Sequence, residues 1–240
     1  MFAWYESGKF DNHKWANTIE KNGHDAELGS GLTEFSESGN GAAKTVNGLK
    51  GTPNDTISFG PVIKATFSIC SVTRYTNSAD EFQGTRERIL QGGEINWLHG
   101  HLSDEVGVAY YNAYKTSNVN DIKKPATDWV VMCGTNSGSQ LKLANGANVG
   151  TATGGDGNVT LWVNDGWAST QLSDFAIAEV MVWDRGLTSG EMFEASYYLM
   201  DKFGIEPRPP SLPSLAWYKS ETLLDLPCPQ TSDSTVSHSA

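Results

Sequence analysis

Short runs of β-branched and aromatic residues, each closed by glycine or asparagine, recur along most of this chain. "TISFGPVI", "ATFSICSVTRY", "RERILQGG", "EVGVAYYNAY", "DWVVMCG", "LKLANGANVG", "NVTLWVNDG" and "FAIAEVMVW" are the clearest. Runs this short, punctuated this often, fold as strands joined by tight turns rather than as helices. "LANGANV" places Asn145-Gly146 between two runs, a pair whose tolerance of positive φ suits a two-residue hairpin turn. Asp165-Gly166, after "LWVN", predicts a second tight turn. In "FAIAEVMVW" simple alternation puts Phe175, Ile177, Met181 and Trp183 on one face, and Ala176, Ala178, Val180 and Val182 on the other. A strand apolar on both faces must be covered on both sides.

One segment breaks the pattern. In "LTSGEMFEASYYLMDKFG", Thr188 can cap a helix and Glu191, three places on, can reach back to the cap's own N–H. Leu187 and Met192 stand where a hydrophobic staple belongs, and Met192, Ala195, Leu199 and Phe203 form an apolar stripe. Gly204 supplies a left-handed stop. The spacing predicts one helix over about 188–203, packed against a sheet.

With 240 residues the chain can bury a self-sufficient core. A formal charge of −11 opposes any phosphate-binding surface, so nucleic acid is excluded as the expected partner. No apolar run reaches membrane-spanning length, so no membrane insertion is expected. Three cysteines, Cys70, Cys133 and Cys228, make no disulfide framework; Cys70 and Cys133 fall in strand-like runs as buried thiols or as one bridge.

The opening "AWY", "VNGL" with "TISFG", "FSICSVTRY", the strand "AIAEVMVWDRGL" and the helix "TSGEMFEASYYLMDKFGI" together resemble the LamG-like jelly roll of the concanavalin A-like lectin and glucanase superfamily. The resemblance covers about residues 1–206 and implies an all-β, two-sheet antiparallel sandwich with one short C-terminal helix. It also implies an extracellular or cell-surface recognition module for glycans or glycoprotein surfaces. The proline-dense "EPRPPSLPS" reads as a linker over 207–214, and the chain then repeats its opening. Ala3, Trp4, Tyr5 and Ser7 return as Ala216, Trp217, Tyr218 and Ser220, as though 215–240 began a further copy of the same module. Neighbouring copies of the module are expected partners on that reading.

Within "GGEINWLHGHLSDEVGVAYYN", Trp97, His99 and His101 alternate onto one strand face, with Tyr110 and Asn112 following. These five residues are the expected ligand contacts, the rings stacking on sugar C–H groups and the polar side chains bonding hydroxyls. The same histidines could hold a transition metal with Asp104 or Glu105, and a structural role in the core is the third alternative. Laminin G-type modules often carry calcium at the rim, which the resemblance extends to Asp156, Asn158, Asn164 and Asp165 as ligands. Glu179, an acid inside an apolar strand, needs a cation, for which Arg185, Arg86 and Arg88 are available. No strand carries the same-face pair of carboxylates that hydrolases of this fold use, so a non-catalytic module is expected. A protein–protein assembly module is the alternative, and a polysaccharide hydrolase or lyase a second one.

Overall fold

A computed structural model describes residues 1–11, 13–19, 24–76, 86–117 and 126–206. The expected linker and the repeated "LAWYKS" segment lie outside the described residues. In chain order the strands are β1 (Ala3–Asp11), β2 (Lys14–Asn17), β3 (Ala26–Leu28), β4 (Thr33–Gly39), β5 (Ala42–Gly51), β6 (Ile57–Ile63), β7 (Ser68–Tyr75), β8 (Leu90–Gly92), β9 (Trp97–Leu102), β10 (Glu105–Tyr111), β11 (Val130–Thr135), β12 (Lys142–Ala144), β13 (Ala147–Asn148), β14 (Val159–Val163) and β15 (Phe175–Trp183). One helix, α1 (Ser189–Phe203), follows. The architecture is the expected all-β antiparallel sandwich.

Hydrogen bonding runs through the order β10-β9-β8-β14-β6-β3-β2-β1-β15-β7-β11-β12-β13, every pairing antiparallel. This ribbon folds back on itself, so that β10-β9-β8-β14-β6-β3 forms one layer and β15-β7-β11-β12 the other. Between the layers lies a core with Tyr5, Trp15, Phe59, Phe67, Trp97, Tyr111, Val130, Met132, Leu161 and Phe175, all essentially without exposure. A second apolar cluster lies on the far side of the second layer, where α1 covers it through Met192, Ala195, Leu199, Met200 and Phe203.

The helix forms as its sequence predicts. Thr188 accepts from the Glu191 N–H and the Glu191 carboxylate accepts from the Thr188 N–H, completing a capping box. Arg185 pairs with Glu191 at 2.7 Å and holds that carboxyl down at about 2. Gly204, at φ 65°, ends the helix in the left-handed region. Asn145 and Gly146, both at positive φ, make the tight turn between β12 and β13. At the other expected turn the left-handed residue is Asn164 rather than Asp165 or Gly166, and the next strand, β15, does not pair with β14.

Strand β15 corrects the alternation. Its register against β7 shifts between Ile177 and Glu179, a β-bulge that places two residues opposite one. Phe175, Ile177, Val180 and Val182 therefore share the inner core, while Ala176, Ala178, Met181 and Trp183 face the helix. The bulge falls where the other neighbour of β15 changes from β5, paired at Phe175–Ile177, to β1, paired at Val180–Val182.

Glu179 occupies that junction, and its cation is neither Arg185, Arg86 nor Arg88. Lys202 from α1 pairs with it at 2.7 Å, the Trp4 Nε1–H donates to it at 2.7 Å, and the Ser7 N–H reaches it at 3.4 Å. The three arginines are occupied elsewhere, Arg185 by Glu191, Arg86 by Asp104 and Arg88 by Asn96. The opening "AWYES" thus has a structural purpose. Trp4 and Ser7 bind the buried acid, and Tyr5 donates its hydroxyl to the His24 and Phe59 carbonyls. Cys70 and Cys133, directly opposite one another on β7 and β11, form a disulfide.

Candidate functional site: the outer face of the first layer

Trp97, His99 and His101 do share one face of β9, but that face points into the sandwich. All three are fully buried. Trp97 stacks on Tyr111 at 5.0 Å; the His99 ring bonds to the Tyr111 hydroxyl through Nδ1 at 2.8 Å and to the Met132 carbonyl through Nε2 at 3.1 Å. His101 lies 3.4 Å from the Thr73 hydroxyl and edge-on to Tyr75. Burial lowers His99 to about 4 and His101 to about 3, so both are neutral core side chains. With no exposed edge they form no sugar platform. Both His99 nitrogens are engaged and Asp104 is paired with Arg86, so the metal alternative lacks ligands as well. Among the described residues no group of three His, Cys, Asp or Glu is placed to hold a metal.

The expected calcium set is divided by β14. Asp156 and Asn158 precede this strand and Asn164 and Asp165 follow it, about 16 Å apart along five extended residues. Asn164 is also fully spent. Its amide donates to the Thr52, Asp55 and Ser173 carbonyls and its oxygen accepts from the Ser173 N–H, bracketing the β14–β15 loop. The four cannot meet at one ion.

Tyr110 and Asn112 lie elsewhere, and with them a surface does form. Because Val159, Leu161 and Val163 face the core, Trp162 points outward. Register then continues one outward row across the layer, with Trp162 opposite Gln91, Gln91 opposite Leu98, and Leu98 opposite Tyr110. Three strand spacings put Trp162 and Tyr110 about 14 Å apart, the length of a short oligosaccharide. α1 packs on β5, β7, β11 and β12, on the other layer, while along this row Trp162 and Tyr110 are half-buried and Gln91 and Leu98 between them are fully buried.

Each end of the row carries aromatic side chains. Tyr114, 41% exposed, meets Tyr110 edge to face at 4.8 Å. At the other end Trp167, 54% exposed, follows a loop that lies directly on Gln91, so close that a Cβ on Gly166 would overlap the Gln91 side chain. Between the ends lie Leu98 and the polar side chains of Gln91 and Arg88, all buried. The Ala168 N–H donates to the Gln91 amide oxygen while its nitrogen has no partner, and Arg88 donates to Asn96 at 2.8 Å. Asn112 donates its backbone N–H to the Asn96 carbonyl and its side chain to Asp156 at 2.7 Å. Beyond Asn112 the face opens into a groove of about 370 Å³ lined by Ala65, Ile95, Gly155, Asp156, Gly157 and Asn158.

The structure therefore brings Tyr110 and Asn112 together with Asp156 and Asn158 at one corner, and separates them from the buried trio. Arg88, Gln91, Asn96, Tyr114, Trp162 and Trp167 were not expected at a site. A signal for Trp162 was present, since in "NVTLWV" it occupies the polar phase of a strand whose other phase is entirely valine and leucine.

No family model matches the sequence, and no curated protein matches it. Solved structures match in fold. A mutant of Trypanosoma rangeli sialidase displaying trans-sialidase activity aligns with TM-score 0.56 and 10% identity, over 84% of this chain and 33% of that one. Domain 4 of AbnA, a GH43 extracellular arabinanase from Geobacillus stearothermophilus, solved with arabinotriose, aligns with TM-score 0.55 and 13% identity, over 81% of this chain and 97% of that domain. The binding domain of Paraclostridial Mosquitocidal Protein 1 aligns with TM-score 0.54 and 13% identity, over 83% of this chain and 52% of its own length. This chain thus spans about a third of the sialidase and about half of the toxin domain. At such identities the likeness is one of fold: a β-sandwich of the jelly-roll kind that serves carbohydrate-binding, receptor-binding and glycosidase proteins.

Proposed function

We propose that this chain is a non-catalytic recognition module that binds carbohydrate on the outer face of its first layer. The observation that carries this reading is the pair of exposed aromatic side chains, Trp167 and Tyr114, beside the half-buried Trp162 and Tyr110 at the two ends of a row whose middle members, Gln91 and Leu98, are fully buried. Aromatic faces spaced along a sheet suit a sugar chain, because pyranose rings offer flat C–H faces at a similar spacing. An arabinanase domain of this fold, solved with arabinotriose, supports the reading by analogy of fold. Absence of catalysis is supported by Glu179, the one acid set inside an apolar strand among the described residues, which is fully buried beneath the helix and paired with Lys202. The Cys70–Cys133 disulfide supports an oxidising, extracellular setting.

Glycan-array binding of the module tests the proposal, followed by titration of the best ligand into Trp162→Ala and Tyr114→Ala. Each substitution is expected to weaken binding at least tenfold and leave the melting temperature within about 2 °C, as befits surface positions. Undiminished binding in both variants would remove the site from this face, and release of sugar products would overturn the non-catalytic reading.

A further inference from the structure

Among the four described arginines, three have a carboxylate partner: Arg74 with Glu37, Arg86 with Asp104 and Arg185 with Glu191. Arg88 has none among the described residues. It is 5% exposed, it makes one side-chain hydrogen bond, to the Asn96 amide oxygen, and its buried Nε–H has no acceptor. The chain has 28 acidic residues against 17 basic ones, so a carboxylate would have been easy to supply here. A guanidinium cannot shed its proton to escape burial, so it keeps a desolvated charge and at least one unused donor. Burial does lower its affinity for that proton, partly offset by the nearby Tyr114, Glu87 and Tyr110.

Its position gives the vacant donors a use. Arg88 lies close to Tyr110 and the exposed Tyr114, and it bonds the side chain of Asn96, whose carbonyl binds the Asn112 N–H beside the rim groove. The acids nearest that groove are already held, Asp156 by the Asn112 amide and Glu94 by the Thr160 N–H and hydroxyl. Glu87 accepts from the Ser103 hydroxyl.

Building on the recognition reading above, we infer that this corner selects sugars that carry a carboxylate, with Arg88 gripping the acid and Tyr114 covering the ring. A planar carboxylate matches the guanidinium fork in two parallel hydrogen bonds, which a hydroxyl cannot do. The ligand class is therefore a uronic or sialic acid residue within an oligosaccharide, and the remainder of the chain extends along the row towards Trp162.

Calorimetric titration with matched pairs tests this: trigalacturonate against galactotriose for uronic acids, sialyllactose against lactose for sialic acids. In at least one pair the acidic member is expected to bind tenfold or more tightly, and to weaken as salt rises from 50 to 500 mM while the neutral member does not. Arg88→Lys keeps the charge and removes the fork, so it should abolish most of that preference. Should that variant fold poorly, the salt dependence of the unaltered protein and the Tyr114→Ala variant carry the same test. Equal affinity within both pairs, or an acid preference untouched by Arg88→Lys, would overturn the inference and leave the recognition reading standing. Binding of none of the four sugars would overturn the inference, while the recognition reading would stand or fall on the glycan array.

Discussion

Replacing Lys202 by methionine would leave Glu179 buried with a charge and only the Trp4 and Ser7 N–H groups to meet it. Removing one partner of a buried ion pair costs about 3–5 kcal/mol, because the other charge stays desolvated. The Trp4 bond persists and the Lys202 side chain is itself 23% exposed, so the lower end, about 3 kcal/mol, applies at pH 8. In a domain of this size that is roughly 6–12 °C in melting temperature. The loss should depend on pH, with a definite sign. Burial raises the Glu179 carboxyl above its ordinary value, and Lys202 opposes that rise; deleting Lys202 raises it further. A carboxyl whose folded pKa exceeds its unfolded one gives stability that is fully present below the unfolded value and is lost as pH rises through the folded value. At pH 4.5 and below, Glu179 can fold protonated, and the deficit shrinks to the lost Lys202–Glu6 pair and the lost contact of the ammonium with the Trp4, Tyr198 and Phe203 rings, together about 1 kcal/mol. The folded pKa of Lys202 is raised, so its own titration lies above this window. Urea unfolding of both proteins at pH 4.5 and pH 8 measures the difference. A loss below about 1 kcal/mol at pH 8, or an equal loss at both pH values, would refute the reasoning.

Three further outcomes follow from the same structure. The Cys70–Cys133 bridge closes a loop with a sequence separation of 63, so Cys70→Ser with Cys133→Ser should lower stability by about 4 kcal/mol, read by urea denaturation. His101 is depressed to about 3 by burial, so the stability it permits is present above the unfolded value of 6.5 and is lost as pH falls. His101→Leu should therefore shrink the drop in stability between pH 7 and pH 5 by about 2 kcal/mol, and an unchanged drop would show that the imidazole is protonated in the folded state. Thr188→Ala removes one half of the capping box and should cost about 1 kcal/mol by thermal melting, with hydrogen exchange quickening first in the opening turn of α1.

The helix was legible to the residue in the sequence, because its cap, staple, stripe and stop are local signals that tertiary contacts did not override. The sandwich was legible from repeated β-rich runs, and the Asn145-Gly146 turn from its own chemistry. Features that depend on two distant segments were not. Alternation alone could not show the bulge at Ala178–Glu179, which arises because β15 exchanges β5 for β1 as its neighbour, and so half of that strand was assigned to the wrong face. The need of Glu179 for a cation is plain in the sequence, but the nearest one along the chain is Arg185, whereas its partner comes from the far end of α1. The period of two placed Trp97, His99 and His101 together, yet could not say whether their shared face met solvent or the opposite layer. Arg88 and Gln91 are set apart by buried donors without partners, which no pattern of residue types reveals.

Tryptophan indole resonances, followed by NMR while a binding oligosaccharide is added, give the most direct test of where recognition occurs. On this account the Trp162 and Trp167 signals move with the titration, while those of the enclosed Trp15, Trp97, Trp129 and Trp183 stay fixed. Saturable binding that leaves both outward indoles unmoved and instead perturbs the Phe193–Tyr197 side of α1 would contradict it.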